Sequence, residues 1–179
     1  FTSFFTFARV KNDHLSVELG IDAFAELGRA MREGATGSGT GSGKRFHDLS
    51  ATLYLSNPWF TPDNVTRALF ATGAVLTKEK LTRWLSAYPE LSEERNPVTV
   101  GVVMAGNIPM VGFHDLLCVL ISGNRLLARL STRDELMMRA VAATLTEIEP
   151  AFRHVTELTT DKLKGFGKVI ATGSNNTSR

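Results

Sequence analysis

The sequence contains a single cysteine, Cys118, among 179 residues. This excludes internal disulfides and any metal site built from several cysteines. The four histidines are scattered without metal-ligand spacing, so we expect no bound metal. A reaction that requires a thiolate must therefore use Cys118 or a cysteine outside this chain.

Long apolar runs and a strong charge imbalance are also missing. The longest apolar stretch, Leu116–Ile121, is much shorter than the roughly 20 residues of a membrane span. The net charge of +2 gives no reason to expect nucleic acid as a partner. The residues Phe1–Phe7 lack the basic start and the small-residue cleavage site of a signal peptide. We therefore expect a cytoplasmic protein without a membrane span.

Several catalytic signatures are absent. No Gly-x-Gly-x-x-Gly occurs, so the standard dinucleotide fingerprint is missing. The Gly-x-Ser-x-Gly of a nucleophile elbow is missing as well, which disfavours a serine hydrolase. Neither Tyr54 nor Tyr88 is followed by a lysine four residues later, so the Tyr-x-x-x-Lys pair of one reductase class is absent.

The first third of the chain divides at a glycine-rich stretch. Helical spacing around residues 21–31 predicts a helix within residues 1–33. Residues 34–44 contain five of the fifteen glycines and little apolar filler, which predicts a linker or a mobile loop. Gly43-Lys44 partly matches a phosphate-binding P-loop, but Ser38 and Arg45 occupy two of its required positions. A phosphate-binding NTPase thus stays a minor alternative.

Residues 45–97 have a helical pattern. Thr61 before Pro62 predicts the start of one helix, and Thr77 predicts the start of a second. The aromatic side chains of this region are expected in the core or between helices: Trp59, Trp84 and Tyr88.

From residue 98 onward, strands alternate with helices. The β-branched run Val98–Met104 is typical of a strand buried on both faces. We expect four elements after this strand: a helix over Pro109–Ser122, a strand over Arg125–Leu130, a helix opened by a Thr132–Glu135 capping box, and a strand over Lys168–Thr172. This alternation predicts an α/β fold whose Rossmann-type parallel sheet lies in a βαβαβ unit over residues 98–179. Ligands of such sheets bind at the loops after the carboxyl ends of the strands.

Those loops carry a family resemblance. The segments Met104–Pro109, Gly112–Asp115 and Ala171–Arg179 resemble the bacterial long-chain acyl-CoA reductases of the LuxC type, which belong to the aldehyde dehydrogenase superfamily. The likeness extends to Asn57–Thr61 and covers most of the chain from about residue 21 onward, apart from the glycine-rich stretch.

The resemblance implies an aldehyde-dehydrogenase-like fold and an activity. The reaction would be the NADPH-dependent reduction of a fatty acyl-CoA, or a related thioester, to the aldehyde through a cysteine acyl-enzyme. The superfamily also suggests a homodimer or a higher oligomer.

Residue roles follow by position. Asn107 matches the amide that holds the thioester oxygen as it gains negative charge. Ala105 and Gly106, which precede Asn107, are expected at the cofactor. Arg129 and Ser131 match the segment that binds the adenosine ribose, and a guanidinium there would favour NADP. Gly173 and Ser174 match the turn that approaches the cofactor pyrophosphate.

Cys118 does not match the family nucleophile. It lies in an apolar helical segment, and its nearest charge in sequence, Asp115, does not favour a thiolate. We therefore expect a buried structural cysteine, and a fragment of a larger reductase whose nucleophile lies beyond this chain. The alternative is a non-catalytic nucleotide- or acyl-binding module.

Overall fold

The computed structural model describes residues 15–93 and 96–172. They form an α/β fold in which helices pack against a sheet of four parallel strands, as the sequence predicts. The elements run in the order α1 (Val17–Thr36), α2 (Ser42–Thr52), α3 (Pro62–Val75), α4 (Lys78–Leu85), β1 (Thr99–Val103), α5 (Phe113–Ile121), β2 (Arg125–Arg129), α6 (Glu135–Ile148), β3 (Thr156–Thr159) and β4 (Lys168–Ala171). Single 3₁₀ turns lie at Leu53–Leu55, Pro89–Ser92 and Pro150–His154.

Side-chain caps fix the starts of three helices. The hydroxyl of Ser16 accepts a hydrogen bond from the backbone of Leu19 at the start of α1. Thr61 and Thr77 cap α3 and α4 in the same way, which confirms both predicted starts.

The prediction of a linker over residues 34–44 is wrong. α1 continues to Thr36, a turn follows, and α2 begins at Ser42. A Cβ added at Gly34 would lie 2.5 Å from the Cβ of Phe46 in α2. Glycine therefore serves close helix packing here rather than a loose connection. Gly43 and Lys44 lie in the first turn of α2, and the element before them in the chain is a helix. A P-loop would follow a strand, so the arrangement is not that of a P-loop.

The sheet has the strand order β3-β2-β1-β4. Val100 and Val102 of β1 belong to the buried core that includes the helices. Gly101 lies on the opposite face, where a Cβ would stand 3.0 Å from the ring of Phe166. The connection from β3 to β4 thus covers that face before the chain returns to the other side of β1.

Two predicted helix starts need correction, and one strand was not predicted. α5 begins at Phe113 and not at Pro109, because the backbone of Met110 has a φ of 62°, which no right-handed helix tolerates. α6 begins at Glu135 without a side-chain cap, so the predicted Thr132–Glu135 capping box is absent. β3 escaped prediction because Thr156–Thr159 has no apolar run.

One continuous hydrophobic core joins the helices before β1 to the sheet. Phe24 of α1 contacts the rings of Phe113 and Phe152 edge to face. Trp84 packs against this core as predicted, whereas Trp59 is 78% exposed and Tyr88 is also exposed. The core prediction for these last two side chains is wrong.

Candidate functional site

The candidate site lies at the carboxyl edge of the sheet, where the strand order reverses. The chain proceeds outward from β1 to β2 and β3 and then returns to place β4 on the far side of β1. Open parallel sheets bind ligands at this kind of reversal. Residues 104–112 follow β1, residues 130–134 follow β2, and Thr172 follows β4. Gly173 and Ser174 lie outside the described residues.

The loops after β1 and β2 touch at Gly106. A Cβ added there would lie 2.2 Å from the Oγ of Ser131 and 2.5 Å from its Cβ. The backbone N–H of Met104 also donates to the carbonyl of Arg129 at 3.0 Å. The structure thus brings two predicted cofactor residues, Gly106 and Ser131, into direct apposition.

Asn107 is exposed on the loop after β1. No residue within the described ranges forms a hydrogen bond with its side chain, so the amide is free to donate to a ligand. Ala105, two residues before Asn107, is half-buried, and Ile108, the next residue, is exposed.

Cationic side chains follow β2. Arg129 ends the strand exposed, and its Nε donates to the carbonyl of Thr160 at 3.5 Å. Arg133 is exposed in the next loop, where its backbone N–H donates to the Oγ of Ser131 at 3.4 Å. Within the described part of the chain, neither guanidinium pairs with a carboxylate, so both are available to an anionic ligand.

Asp134 is a site residue that the sequence reasoning missed. Its side chain is 2% exposed, and its Oδ2 accepts the backbone N–H of Met110 at 2.8 Å. No described group bonds its Oδ1. Burial raises the pKa of this carboxyl to about 7, and the bond from Met110 offsets only part of that effect. Its position directly before α6 is the only sequence signal, and that signal indicates a helix cap.

Asn57 supports the same region from the helical side. Its amide Nδ2 donates to the carbonyl of Arg133 at 3.4 Å, and its Oδ1 accepts the N–H of Trp59 at 3.2 Å. Asn57 belongs to the segment that carries the family resemblance, but no role for it was predicted. It ties the connection between α2 and α3 to the loop after β2.

A hydrogen bond closes the site on the β4 side. The hydroxyl of Thr172 donates to Oδ2 of Asp115 in α5 at 2.7 Å, and its backbone N–H donates to the carbonyl of Val103 at 3.1 Å. The start of α5 is thus held against the end of β4.

Cys118 is poorly suited to be a nucleophile. It is partly buried in α5, with its Sγ 3.5 Å from Nε2 of His114. Burial, and then the negative charge of Asp115, raise the pKa of the thiol. This agrees with the structural role that the sequence predicts, although the side chain is not fully buried.

Across the described ranges, no cluster of three or more His, Cys, Asp or Glu side chains has the arrangement of a metal site. None of the helices in those ranges has the length and apolar character needed to cross a membrane.

Comparisons of the chain with protein-family models, with curated proteins and with solved structures found no match.

Proposed function

We propose that the chain is the cofactor-binding part of an NADPH-dependent reductase of the LuxC type, with an aldehyde-dehydrogenase-like fold, that converts a long-chain acyl thioester to an aldehyde. The observation that carries the proposal is the contact of Gly106 with Ser131, which brings the loop that carries Asn107 against the loop that carries Arg133. An amide donor and an anion-binding edge are what reduction of a thioester by a phosphorylated dinucleotide requires.

The residues after β2 fit the adenosine end of NADPH. Arg129 supplies a guanidinium without a carboxylate partner in the described ranges, and Ser131 supplies a hydroxyl two residues later. A forked guanidinium binds a phosphate with two hydrogen bonds, which favours NADPH over NADH. NADPH, when bound, supplies the hydride. Gly106 has no Cβ, which lets the loop after β1 approach Ser131 closely and places the two predicted cofactor residues side by side.

Asn107 acts at the other end of the site. As a thiolate attacks the thioester carbonyl, the carbonyl oxygen becomes negative, and the Asn107 N–H stabilises that charge without transferring a proton. Expulsion of CoA thiolate leaves the acyl group on the enzyme. Overall, the acyl-CoA, NADPH and a proton yield the aldehyde, CoA and NADP⁺.

The thiolate comes from a cysteine outside these residues. Cys118 is the only thiol in the chain, and both burial and Asp115 disfavour its ionisation. A bacterial cytoplasmic enzyme that assembles as a dimer or a higher oligomer accords with the family resemblance.

Assays of the complete gene product test the function. We expect NADPH oxidation with a long-chain acyl-CoA, together with formation of the aldehyde. Asn107→Ala should lower kcat by about 10²–10³-fold, because the developing oxyanion loses its donor. The control Asn96→Ala changes an exposed asparagine at the opposite end of β1 and should leave kcat unchanged.

The cofactor arm uses the same assay with NADH in place of NADPH. Arg129→Gln should raise the KM for NADPH and leave the KM for NADH unchanged. The control Arg153→Gln, away from the site, should change neither KM. Near wild-type turnover in Asn107→Ala would remove the oxyanion role. Binding of NADPH or of acyl-CoA without aldehyde formation would favour the non-catalytic nucleotide- or acyl-binding module.

A further inference from the structure

The loop that carries Asn107 is held at one buried point. Met110 lies three residues after Asn107, is itself buried, and has a φ of 62°. A non-glycine residue rarely adopts this left-handed conformation unless its surroundings impose it. Its backbone N–H points to Oδ2 of Asp134 at 2.8 Å.

Asp134 is anchored to the neighbouring loop in turn. Its own backbone N–H donates to the carbonyl of Ser131 at 3.1 Å. The carboxylate therefore links the loop after β1 to the loop after β2 across their contact at Gly106. A side chain kept only as a cap for α6 would bond the first amides of that helix, and Asp134 bonds none of them.

Burial of this carboxylate is costly, and Oδ1 has no partner among the described residues. An isolated stability argument does not account for such a group, because a neutral side chain would avoid the cost. A carboxyl buried at this cost in a crevice is therefore a candidate for a functional role.

We propose that Asp134 is a positioning residue, which holds the Asn107 loop against the Ser131 loop through its hydrogen bond from Met110. It touches no substrate and acts through Asn107. The catalytic part of this inference rests on the proposed function, whereas the hydrogen bond itself does not.

The experiment compares Asp134→Ala with Asp134→Asn in the complete gene product. Hydrogen exchange, resolved to the Met110 amide by fragmentation mass spectrometry, reports the bond directly. Asp134→Ala should speed exchange at Met110 by about tenfold, and Asp134→Asn should not, because its amide oxygen still accepts the bond. The control Glu135→Ala removes the adjacent carboxylate, which pairs with Arg139, and should leave exchange at Met110 unchanged.

Kinetics supply the second readout. Asp134→Ala should lower kcat about tenfold with little change in KM, since a misplaced Asn107 affects the transition state more than substrate binding, and Asp134→Asn should restore kcat. Unchanged exchange at Met110 in Asp134→Ala would overturn the proposal, whatever the enzyme catalyses. Should that variant not fold, exchange of the wild-type Met110 amide at the rate of an unprotected peptide would overturn it as well.

Failure of the proposed function and failure of the positioning role would give different results. Absence of reductase activity with the expected change in exchange would refute the proposed function and keep the loop anchor. Activity that is lost in Asn107→Ala, with kcat unaffected in Asp134→Ala, would keep the function and refute the positioning role.

Discussion

Among single residues, Asp134 occupies a position that is unfavourable for the stability of the fold. Its carboxyl is buried, with one oxygen bonded to Met110 and the other without a partner in the described ranges. The pKa near 7 means that the folded chain holds a proton that the unfolded chain releases at a much lower pH. Folding stability must therefore depend on pH through this residue.

Asp134→Asn should stabilise the fold at neutral and alkaline pH. The pKa of Asp134 is raised from 3.8 to about 7, so its contribution to stability is complete below the lower value and is lost as the pH rises through the higher one. The gain from a neutral side chain should thus grow across that interval and level off above it, at roughly 4 kcal/mol or less. Urea unfolding of both proteins at several pH values measures the difference.

Asp161→Asn is the matched control, because Asp161 is exposed in the loop after β3. Because its side chain lies in water, Asp161→Asn controls for the removal of one negative charge. A constant difference between Asp134→Asn and the wild type at all pH values would contradict the raised pKa.

The contrast between Cys118 and Asp134 shows what the sequence can predict at this scale. Asp115 lies three residues before Cys118 on one helix, so its effect on the thiol follows from helical spacing. The environment of Asp134 instead depends on Met110, which is 24 positions away and on another loop. No local pattern encodes that contact. Asn107 was predictable as exposed and polar, but its neighbours were not.

At the scale of elements, helix caps and buried strands are determined by the local sequence. Thr61 and Thr77 each precede a helical pattern, and β1 is a β-branched run, so all three were predictable. β3 was missed because an edge strand with polar positions lacks that run. The glycine-rich stretch was wrongly predicted as a linker, because composition alone does not distinguish a free loop from a close contact of two helices. Only the packing of the folded chain distinguishes them.

Two glycines of α1 provide a matched test of that crossing. Gly34→Ala should destabilise the fold by about 1–3 kcal/mol, because the new Cβ would overlap Phe46 and the carbonyl of Gly43. Gly20→Ala should stabilise it by about 0.5–1 kcal/mol, because alanine favours a helix and its Cβ would lie at an ordinary 3.4 Å from Ile121. Urea unfolding measures both changes.

The opposite signs are the decisive part of this test. A linker over residues 34–44 would tolerate alanine at Gly34 without loss. Equal stabilisation by both substitutions would therefore contradict the close packing of α1 on α2.

At the scale of the whole molecule, the helices before β1 and the sheet share one core. α1 contacts α2, α3 and α4 of the helical region and also α5 and α6, which pack with the sheet. The sequence placed a boundary near residue 97 because the pattern changes there from helices to strands. Aromatic contacts of Phe24 cross that boundary, since Phe113 and Phe152 both follow it in the chain. A change of secondary structure along a chain does not by itself separate two cores.

Phe24→Ala should destabilise the helical region and the sheet together. Phe24 is fully buried, and loss of its ring leaves a cavity beside Phe113 and Phe152, at a cost of about 3–5 kcal/mol. Hydrogen exchange in dilute urea should show the same loss of protection at Leu69 in α3 and at Val102 in β1. The control Phe70→Ala removes a ring of α3 that is 51% exposed, so it should change protection little. Loss of protection confined to the helices would mean that the helical region and the sheet unfold separately. In that case the hydrogen bond from Asn57 to the loop after β2 would be too weak to couple the helical region to the candidate site.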